Sequence, residues 1–175
     1  MDAAIDKKAL YALSYGLYVV SSRKGDKLNG QVANAVMQVT ADPISMVACL
    51  HRDNMTTECI RDSKIFSISI LEEETPMTFI GNFGFKCGRD LDKFGKCSYE
   101  LGDTGAPLVL DHSLAVIEAK VSKEVDVFTH VMFFGEVVAS RHIREGRPLT
   151  YAHYHEIKKG KSPKNAPTFT LNEVR

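Results

Sequence analysis

Residues 113–139, SLAVIEAKVSKEVDVFTHVMFFGEVVA, decide the predicted fold class. Apolar and polar residues alternate over residues 113–125, which is typical of a half-buried strand. Residues 131–139 are almost all apolar, as expected of a strand that is buried on both faces. We predict that the two strands pair as an antiparallel hairpin around residues 126–129.

The segments before residue 51 also carry local structural signals. A short helix is predicted over residues 7–13, capped by Asp6, and a strand over residues 16–21. Residues 31–40 and 46–50 are predicted to be two further strands, separated by a proline. Together the three strands are expected to form a meander.

The middle of the chain predicts one helix, one strand and a long loop. Thr56 or Thr57 is expected to cap a helix that ends near Ser63. Residues 65–71, IFSISIL, follow as a strand with a period of two. Residues 84–112 are predicted to be irregular with one short strand. Because strands do not alternate with helices, we expect an all-β-dominated antiparallel barrel with peripheral α-helices.

The composition fits a single domain over residues 1–175, since 44% of the residues are hydrophobic and 25% are charged. Lysine plus arginine and aspartate plus glutamate number 22 each, so charge gives no reason to expect a nucleic acid partner. The first 20 residues lack the pattern of a signal peptide or a membrane span. We therefore expect a cytoplasmic protein with no membrane partner.

Several common site motifs are missing. No G-x-G occurs, so a nicotinamide nucleotide would have to bind without a Rossmann turn. The four cysteines form no C-x-x-C pair, which argues against a zinc or rubredoxin iron site. His153 and His155 have a spacing that could bind metal on an extended segment. We interpret them as surface histidines, since no carboxylate cluster accompanies them.

Residues 29–43, NGQVANAVMQVTADP, are unusually rich in amides for a strand. Amide side chains match the alternating donors and acceptors of a flavin pyrimidine edge, and Ala33 and Ala35 would let a planar ring approach closely. The alternative is a solvated strand face. The polar residues of this segment are Asn29, Gln31, Asn34, Gln38 and Thr40.

The next candidate is the predicted helix start at residues 54–57. Free backbone N–H groups, the positive end of the helix dipole and threonine hydroxyls can together hold a phosphate monoester, and Arg52 could add charge. The alternative is ordinary helix capping.

Seven segments in order resemble the flavin reductase-like FMN-binding split barrels, especially flavoredoxins and the flavin domain of high-molecular-weight rubredoxins. The resemblance covers nearly the whole chain. The segments are ALSYGLYVVSS, NGQVANAVMQVTADP, DNMTTECI, FGFKCGRDLDKF, GAPLVLDHSLAVIEAKV, THVMFFGEVV and LTYAHYHEIKKGKSPKNAPTF.

The resemblance implies a six-stranded Greek-key split barrel that forms a homodimer with FMN near the subunit interface. It implies that Asn34, Gln38, Val39 and Thr40 line the isoalloxazine ring, and that Asn54, Thr56 and Thr57 bind the phosphate. A loop over residues 83–94 would complete the site from its own subunit or from the neighbour. The loop residues concerned are Cys87, Gly88, Arg89 and Lys93, with Cys87 standing where the family pattern has serine.

Two more residues gain roles from the resemblance. His130 would lie beside the flavin and orient the nicotinamide, although it could instead only close a hairpin turn. Tyr154, in the C-terminal arm of residues 150–175, would shield the flavin. The arm could equally pack over the partner subunit, or do both.

The implied activity is that of an oxidoreductase that uses NADH or NADPH to reduce FMN. The electrons would go to a carrier such as rubredoxin, to free flavin or to ferric iron. Two alternatives remain open at this point. One is an FMN-binding electron carrier without nicotinamide activity of its own, and the other is a split barrel that binds haem or another flavin-like ligand.

Overall fold

The computed structural model describes residues 5–169. Two ends of the chain lie outside this range. Residues 1–4 belong to the segment that was analysed for a signal peptide, and residues 170–175 are the end of the predicted arm. The helices are a 3-10 helix (Lys7–Ala12), α1 (Met55–Ser63), α2 (Met77–Gly84) and α3 (Tyr151–Glu156). The strands are β1 (Tyr18–Lys24), β2 (Lys27–Ala33), β3 (Val36–Ala41), β4 (Ile44–His51), β5 (Ile65–Leu71), β6 (Tyr99–Leu101), β7 (Pro107–Val109), β8 (Ser113–Val127) and β9 (His130–His142).

Seven of these strands form one antiparallel sheet in the order β2-β1-β5-β8-β9-β4-β3, and β6 pairs with β7 separately. The predicted antiparallel class with peripheral helices is therefore confirmed. The longest pairing joins β8 and β9, as predicted from residues 113–139. Among residues 5–169, no helix is long and apolar enough to cross a membrane.

The predicted strand over residues 31–40 is in fact two strands, which raises the count from the expected six to seven. β2 ends at Ala33 and β3 begins at Val36, and the Val36 backbone N–H bonds back to the Asn34 carbonyl at 3.0 Å. β2 pairs with β1 whereas β3 pairs with β4, so the predicted three-stranded meander is wrong. The two-residue crossing brings the opposite edges of the sheet together and curls it into a split barrel.

Two helices were not predicted. α2 has the sequence MTFIGNFG, in which two glycines and aromatic residues weaken the helical signal. α3 covers His153 and His155, whose spacing was considered for a metal site only if the segment were extended. The long loop after α2 contains the hairpin of β6 and β7 rather than a single strand.

Two apolar clusters hold the fold together. The first fills the barrel around Phe66 and Phe133, and the second packs α2 and α3 against the opposite face of the sheet. Val20 belongs to the first cluster and Val19 to the second, because successive strand residues point to opposite faces. The second cluster therefore positions the loop after α2 and the C-terminal arm.

The start of α3 allows a prediction about the arm. Thr150 caps this helix, and its Oγ1 accepts a hydrogen bond from the His153 backbone N–H at 3.1 Å. Thr150→Ala is expected to lower the free energy of unfolding by about 1 kcal/mol because this N–H loses its partner. Urea titration followed by fluorescence measures the change. Thr150→Ser keeps the acceptor and should unfold like the wild type; equal loss in both variants would contradict the capping role.

Candidate cofactor site

A cavity of about 530 Å³ lies between β2, β4, the start of α1, the loop after α2 and residues 161–167 of the arm. This volume is within the range of cofactor sites. The predicted site residues that line it are Asn29, Gln31, Ala33, Asn34, Asn54, Cys87, Gly88, Lys93 and Tyr154. As far as residues 5–169 define it, those that do not are Gln38, Val39, Thr40, Arg52, Thr56, Thr57, Arg89 and His130.

The wall formed by β2 carries two unsatisfied acceptors. Asn29 is 2% exposed, and its Nδ2 donates to Thr56 Oγ1 at 2.8 Å. Asn29 Oδ1 and Gln31 Oε1 are buried and have no hydrogen-bond partner among the described residues. Buried polar atoms without a partner are rare in folded proteins. The two oxygens therefore fit a ligand that presents N–H or O–H donors, as the ring edge and ribityl chain of FMN do.

The side chains at the start of α1 form hydrogen bonds with other residues of the chain. Asn54 makes no side-chain cap; its Oδ1 instead accepts from Asn165 Nδ2 of the arm at 2.8 Å. Thr57 Oγ1 donates to the His51 carbonyl at 2.8 Å, and Thr56 bonds to Asn29 as described above. Thr56 and Thr57 thus lie behind the cavity wall, and Asn54 is the predicted phosphate residue that reaches the cavity.

Two basic side chains of the loop after α2 lie in different environments. Lys93 lies against the cavity, 4% exposed, whereas Arg89 is exposed and forms an ion pair with Glu58. The hydrogen bond to Glu58 raises the pKa of Arg89, helped by a contact to Cys87 Sγ at 3.8 Å. Arg52 is exposed, and its backbone N–H donates to the Thr129 carbonyl.

His130 does not line the cavity, but it lies next to a residue that does. Its ring is edge-on to His51, with centroids 5.2 Å apart, and His51 lines the cavity. Burial lowers the pKa of His130, the neighbouring His51 lowers it further, and the backbone of Asn165 opposes the change. His130 is therefore mainly neutral at pH 7. His51 stands directly opposite His130 in the pairing of β4 with β9.

Gln38, Val39 and Thr40 lie on β3 and do not line the cavity of this chain. All three are exposed. Thr40 Oγ1 contacts the Pro43 carbonyl and Ser45 Oγ at 2.5 Å each, within the hairpin of β3 and β4. In a single chain these residues belong to the edge of the sheet.

The arm covers the cavity of its own chain. Tyr154 is buried, its hydroxyl donates to the Lys161 carbonyl at 2.9 Å, and burial raises its pKa. Thr168 Oγ1 bonds to the Tyr151 hydroxyl at 2.7 Å and accepts from Asn34 Nδ2 at 3.2 Å. The arm is thus tied both to α3 and to the crossing between β2 and β3.

Part of the lining was missed because it comes from residues without a local signal. Cys49 and His51 are two positions apart on β4, so their side chains lie on the same face of the strand. Knowledge of how β4 pairs with β9 could have indicated that this face lines the cavity. Burial raises the pKa of Cys49. The other missed residues are Leu17, Val32, Leu50, Met55, Ile80, Tyr151 and all of residues 161–167.

The two histidines of α3 make contacts within the protein. His153 Nδ1 lies 3.5 Å from Glu73, and His155 Nδ1 lies 2.9 Å from the Gly160 carbonyl. Within residues 5–169, no group of three His, Cys, Asp or Glu side chains is placed to hold a metal ion.

The fold and the cavity together define a split barrel with a candidate cofactor site. The chain belongs to the family described as flavin reductase like domain, whose model matches residues 10–158. The resemblance noted from the sequence is therefore confirmed.

Two curated relatives are 46% identical to this chain. The match to the high molecular weight rubredoxin of Moorella thermoacetica spans 171 residues, 98% of this chain and 75% of that protein. The match to the ferric-chelate reductase (NAD(P)H) of Archaeoglobus fulgidus spans 165 residues, 94% of this chain and 98% of that protein. A structure of the NADH:FAD oxidoreductase SgcE6 of Streptomyces globisporus, 20% identical, has a similar fold, with a TM-score of 0.76 over 94% of this chain and 98% of that one.

Proposed function

We propose that this chain is an NAD(P)H-dependent flavin oxidoreductase that holds FMN in the cavity described above. Its electrons would pass to a rubredoxin-like carrier, to free flavin or to a ferric chelate. The family and the ferric-chelate reductase of Archaeoglobus fulgidus support the class of reaction. The observation that carries the cofactor assignment is the pair of unsatisfied amide oxygens on β2.

The chemistry that FMN would supply when bound is transfer of electrons between the nicotinamide and the acceptor. Asn29 and Gln31 would accept hydrogen bonds from the ligand, and Asn54 would hold the phosphate end near the start of α1. His51 and the neutral His130 beside it would form the side of the pocket that orients the nicotinamide. Residues 161–167 of the arm would limit the access of water.

The exposed position of Gln38, Val39 and Thr40 is explained if they act on the site of a second subunit. β3 is an edge strand, and the large apolar residues Met37 and Ile44 of the same hairpin are 60% and 51% exposed. We therefore place the homodimer contact on the hairpin of β3 and β4. The protein would work as a dimer in the cytoplasm.

Anaerobic titration tests the activity. The protein should turn yellow with FMN, and NADH or NADPH should then bleach the flavin absorbance. Protein that stays colourless with excess FMN would refute the cofactor assignment. If flavin binds but stays oxidised with both nucleotides, the protein is instead an FMN-binding electron carrier without nicotinamide activity. Reoxidation by rubredoxin, free flavin or ferric chelate then identifies the acceptor.

Gln31→Leu tests the observation that carries the assignment. Removing an acceptor that bonds only to the ligand should weaken FMN binding by about tenfold, or about 1.4 kcal/mol. The unfolding of the FMN-free protein should not become easier, because Gln31 Oε1 has no protein partner among the described residues to lose. Flavin fluorescence quenching and thermal melting give the two measurements. Unchanged affinity in a folded variant would contradict the proposed contact.

A further inference from the structure

The mouth of the cofactor cavity carries charge of only one sign. Four lysines line the cavity, whereas no aspartate or glutamate of residues 5–169 does. Lys93 is the buried one, and the three exposed ones are Lys86, Lys161 and Lys164. The chain as a whole has 22 acidic and 22 basic residues. The three exposed lysines, which we call the lysine rim, are therefore a local positive surface on a neutral protein.

The side chains of the lysine rim have no counter-ion among the described residues. No carboxylate of residues 5–169 lies within 4.0 Å of any of the three ammonium groups. Arg89, on the same loop as Lys86, differs because it forms an ion pair with Glu58. The Tyr154 hydroxyl donates to the carbonyl of Lys161, which fixes the backbone beneath that lysine. The positive charge of the rim is thus available to a partner.

Phe85 precedes Lys86 and adds an exposed aromatic side chain to the mouth of the cavity. It is the C-cap residue of α2, lines the cavity and is 54% exposed. Pro163 and Pro167 of the arm add further apolar surface to the lining. Aromatic residues are enriched in protein interfaces, because their burial removes a large apolar area from water. A small hydrophilic iron chelate would leave much of this ring in water, so the surface fits a protein partner better.

We propose that the lysine rim and Phe85 form the docking surface for an acidic electron-carrier protein. The positive rim attracts the acidic carrier, and Phe85 is buried in the contact. Complexes for electron transfer are typically small and short-lived, which agrees with a surface of a few side chains. The inference rests on the proposed function and adds to it the charge of the partner and the place where it binds.

The electron count agrees with a carrier that takes one electron at a time. For each NADH or NADPH that is oxidised, two ferric carriers each take one electron and become ferrous, and one proton is released to the solvent. The two carriers dock one after the other, so the first must leave before the second arrives. An interface held mainly by charges allows this exchange, because charge attraction speeds association more than it prolongs the complex.

The salt dependence of the wild-type protein tests the docking. Screening shortens the reach of charges from about 30 Å at 0.01 M salt to about 8 Å at 0.15 M. The second-order rate constant for the reduction of an acidic rubredoxin should therefore fall at least about tenfold between these two concentrations. Riboflavin is an uncharged acceptor, and its rate constant should change by less than about twofold. Cytochrome c, a basic electron carrier, should react faster as the salt concentration rises.

Charge reversal identifies the residues that attract the carrier. The double variant Lys161→Glu/Lys164→Glu should slow the reduction of rubredoxin at least about tenfold more than the reaction with NADPH, and it should speed the reduction of cytochrome c. Lys123→Glu is the matched control, because Lys123 is exposed on β8 and does not line the cavity. Phe85→Ser should weaken carrier binding by about tenfold at every salt concentration, since the contact that it removes is apolar.

Binding without electron transfer provides a second readout. Rubredoxin in which zinc replaces the iron cannot be reduced, so calorimetry at 0.01 M salt measures docking alone. The double variant should bind zinc rubredoxin at least about tenfold more weakly than the wild type does, whereas Lys123→Glu should bind it equally well. The same titration of the FMN-free protein tests the surface independently of the cofactor.

Three results would overturn the inference while the proposed function stands. The first is a rubredoxin rate that neither salt nor the double variant changes. The second is an equal loss in the reaction with NADPH, which would assign the lysines to the phosphates of the nucleotide. The third is an equal loss with ferric citrate, which would show a general attraction of anions.

Failure of the proposed function gives a different result. If the protein binds no FMN, the proposed function is wrong, and the titration with zinc rubredoxin still decides whether the surface docks a carrier. If the double variant does not fold, the salt dependence of the wild-type protein and the affinity of Phe85→Ser decide.

Discussion

Gly88→Ala is expected to weaken FMN binding by at least about tenfold, or about 1.4 kcal/mol. A Cβ at this position would collide with Asn29 Oδ1 and lie 2.8 Å from Asn29 Cγ and 3.2 Å from Met55 Sδ. Asn29 cannot move aside freely, because it is buried and bonded to Thr56. Overpacking of this kind also costs about 1–3 kcal/mol of stability. Flavin fluorescence and urea unfolding give the two quantities.

Gly81→Ala is the matched control for this substitution. Gly81 lies in α2, and a Cβ there would meet no heavy atom of the described residues within 4 Å. Alanine should therefore stabilise the helix by about 0.5–1 kcal/mol and leave FMN affinity unchanged. If both variants bind FMN as the wild type does, Asn29 does not contact the cofactor.

Tyr154→Ala is expected to produce the largest loss of stability, about 3–5 kcal/mol, because it empties a large part of the second apolar cluster. The same change removes the hydroxyl that holds the Lys161 carbonyl. Residues 161–167 should then leave the cavity, and trypsin should cut at Lys161 and Lys164 faster than in the wild type. Urea unfolding and timed proteolysis measure both effects.

Tyr154→Phe isolates the hydrogen bond from the packing. It should cost about 1 kcal/mol, since only the contact to Lys161 is lost and the ring remains. Gly160 packs directly against the ring, so the chain should stay in place in this variant. Proteolysis as fast in Tyr154→Phe as in Tyr154→Ala would show that the hydroxyl, and not the ring, holds the arm.

Elements with a strong local pattern were predicted correctly. β5 matches the period-two segment, α1 ends at Ser63 as expected, and β8 and β9 pair around a two-residue connection. β5, β8 and β9 carry a regular hydrophobic pattern, so local physics determines them. The predicted cap of α1 by Thr56 or Thr57 is wrong, because the helix begins at Met55 with Asn54 at the N-cap position and no side-chain cap.

The errors come from features that depend on distant contacts. The crossing at Asn34 lies inside a continuous strand-like pattern, and only the pairing of β3 with β4 reveals it. The hydroxyls of Thr56 and Thr57 also make distant contacts, to Asn29 and to the His51 carbonyl, which the sequence did not show; their phosphate role stays a prediction. Residues 161–167 have no periodic signal, and their place follows from the contacts of Asn165 and Thr168.

The topology of the sheet has a consequence for the order of folding. β8 and β9 are joined by Phe128 and Thr129 alone, so their pairing closes a short loop at low entropic cost. The cavity, in contrast, needs β2 beside α1 and the distant arm, which are contacts of high sequence separation. We therefore expect the hairpin to be structured in the folding transition state and the ability to bind FMN to emerge last.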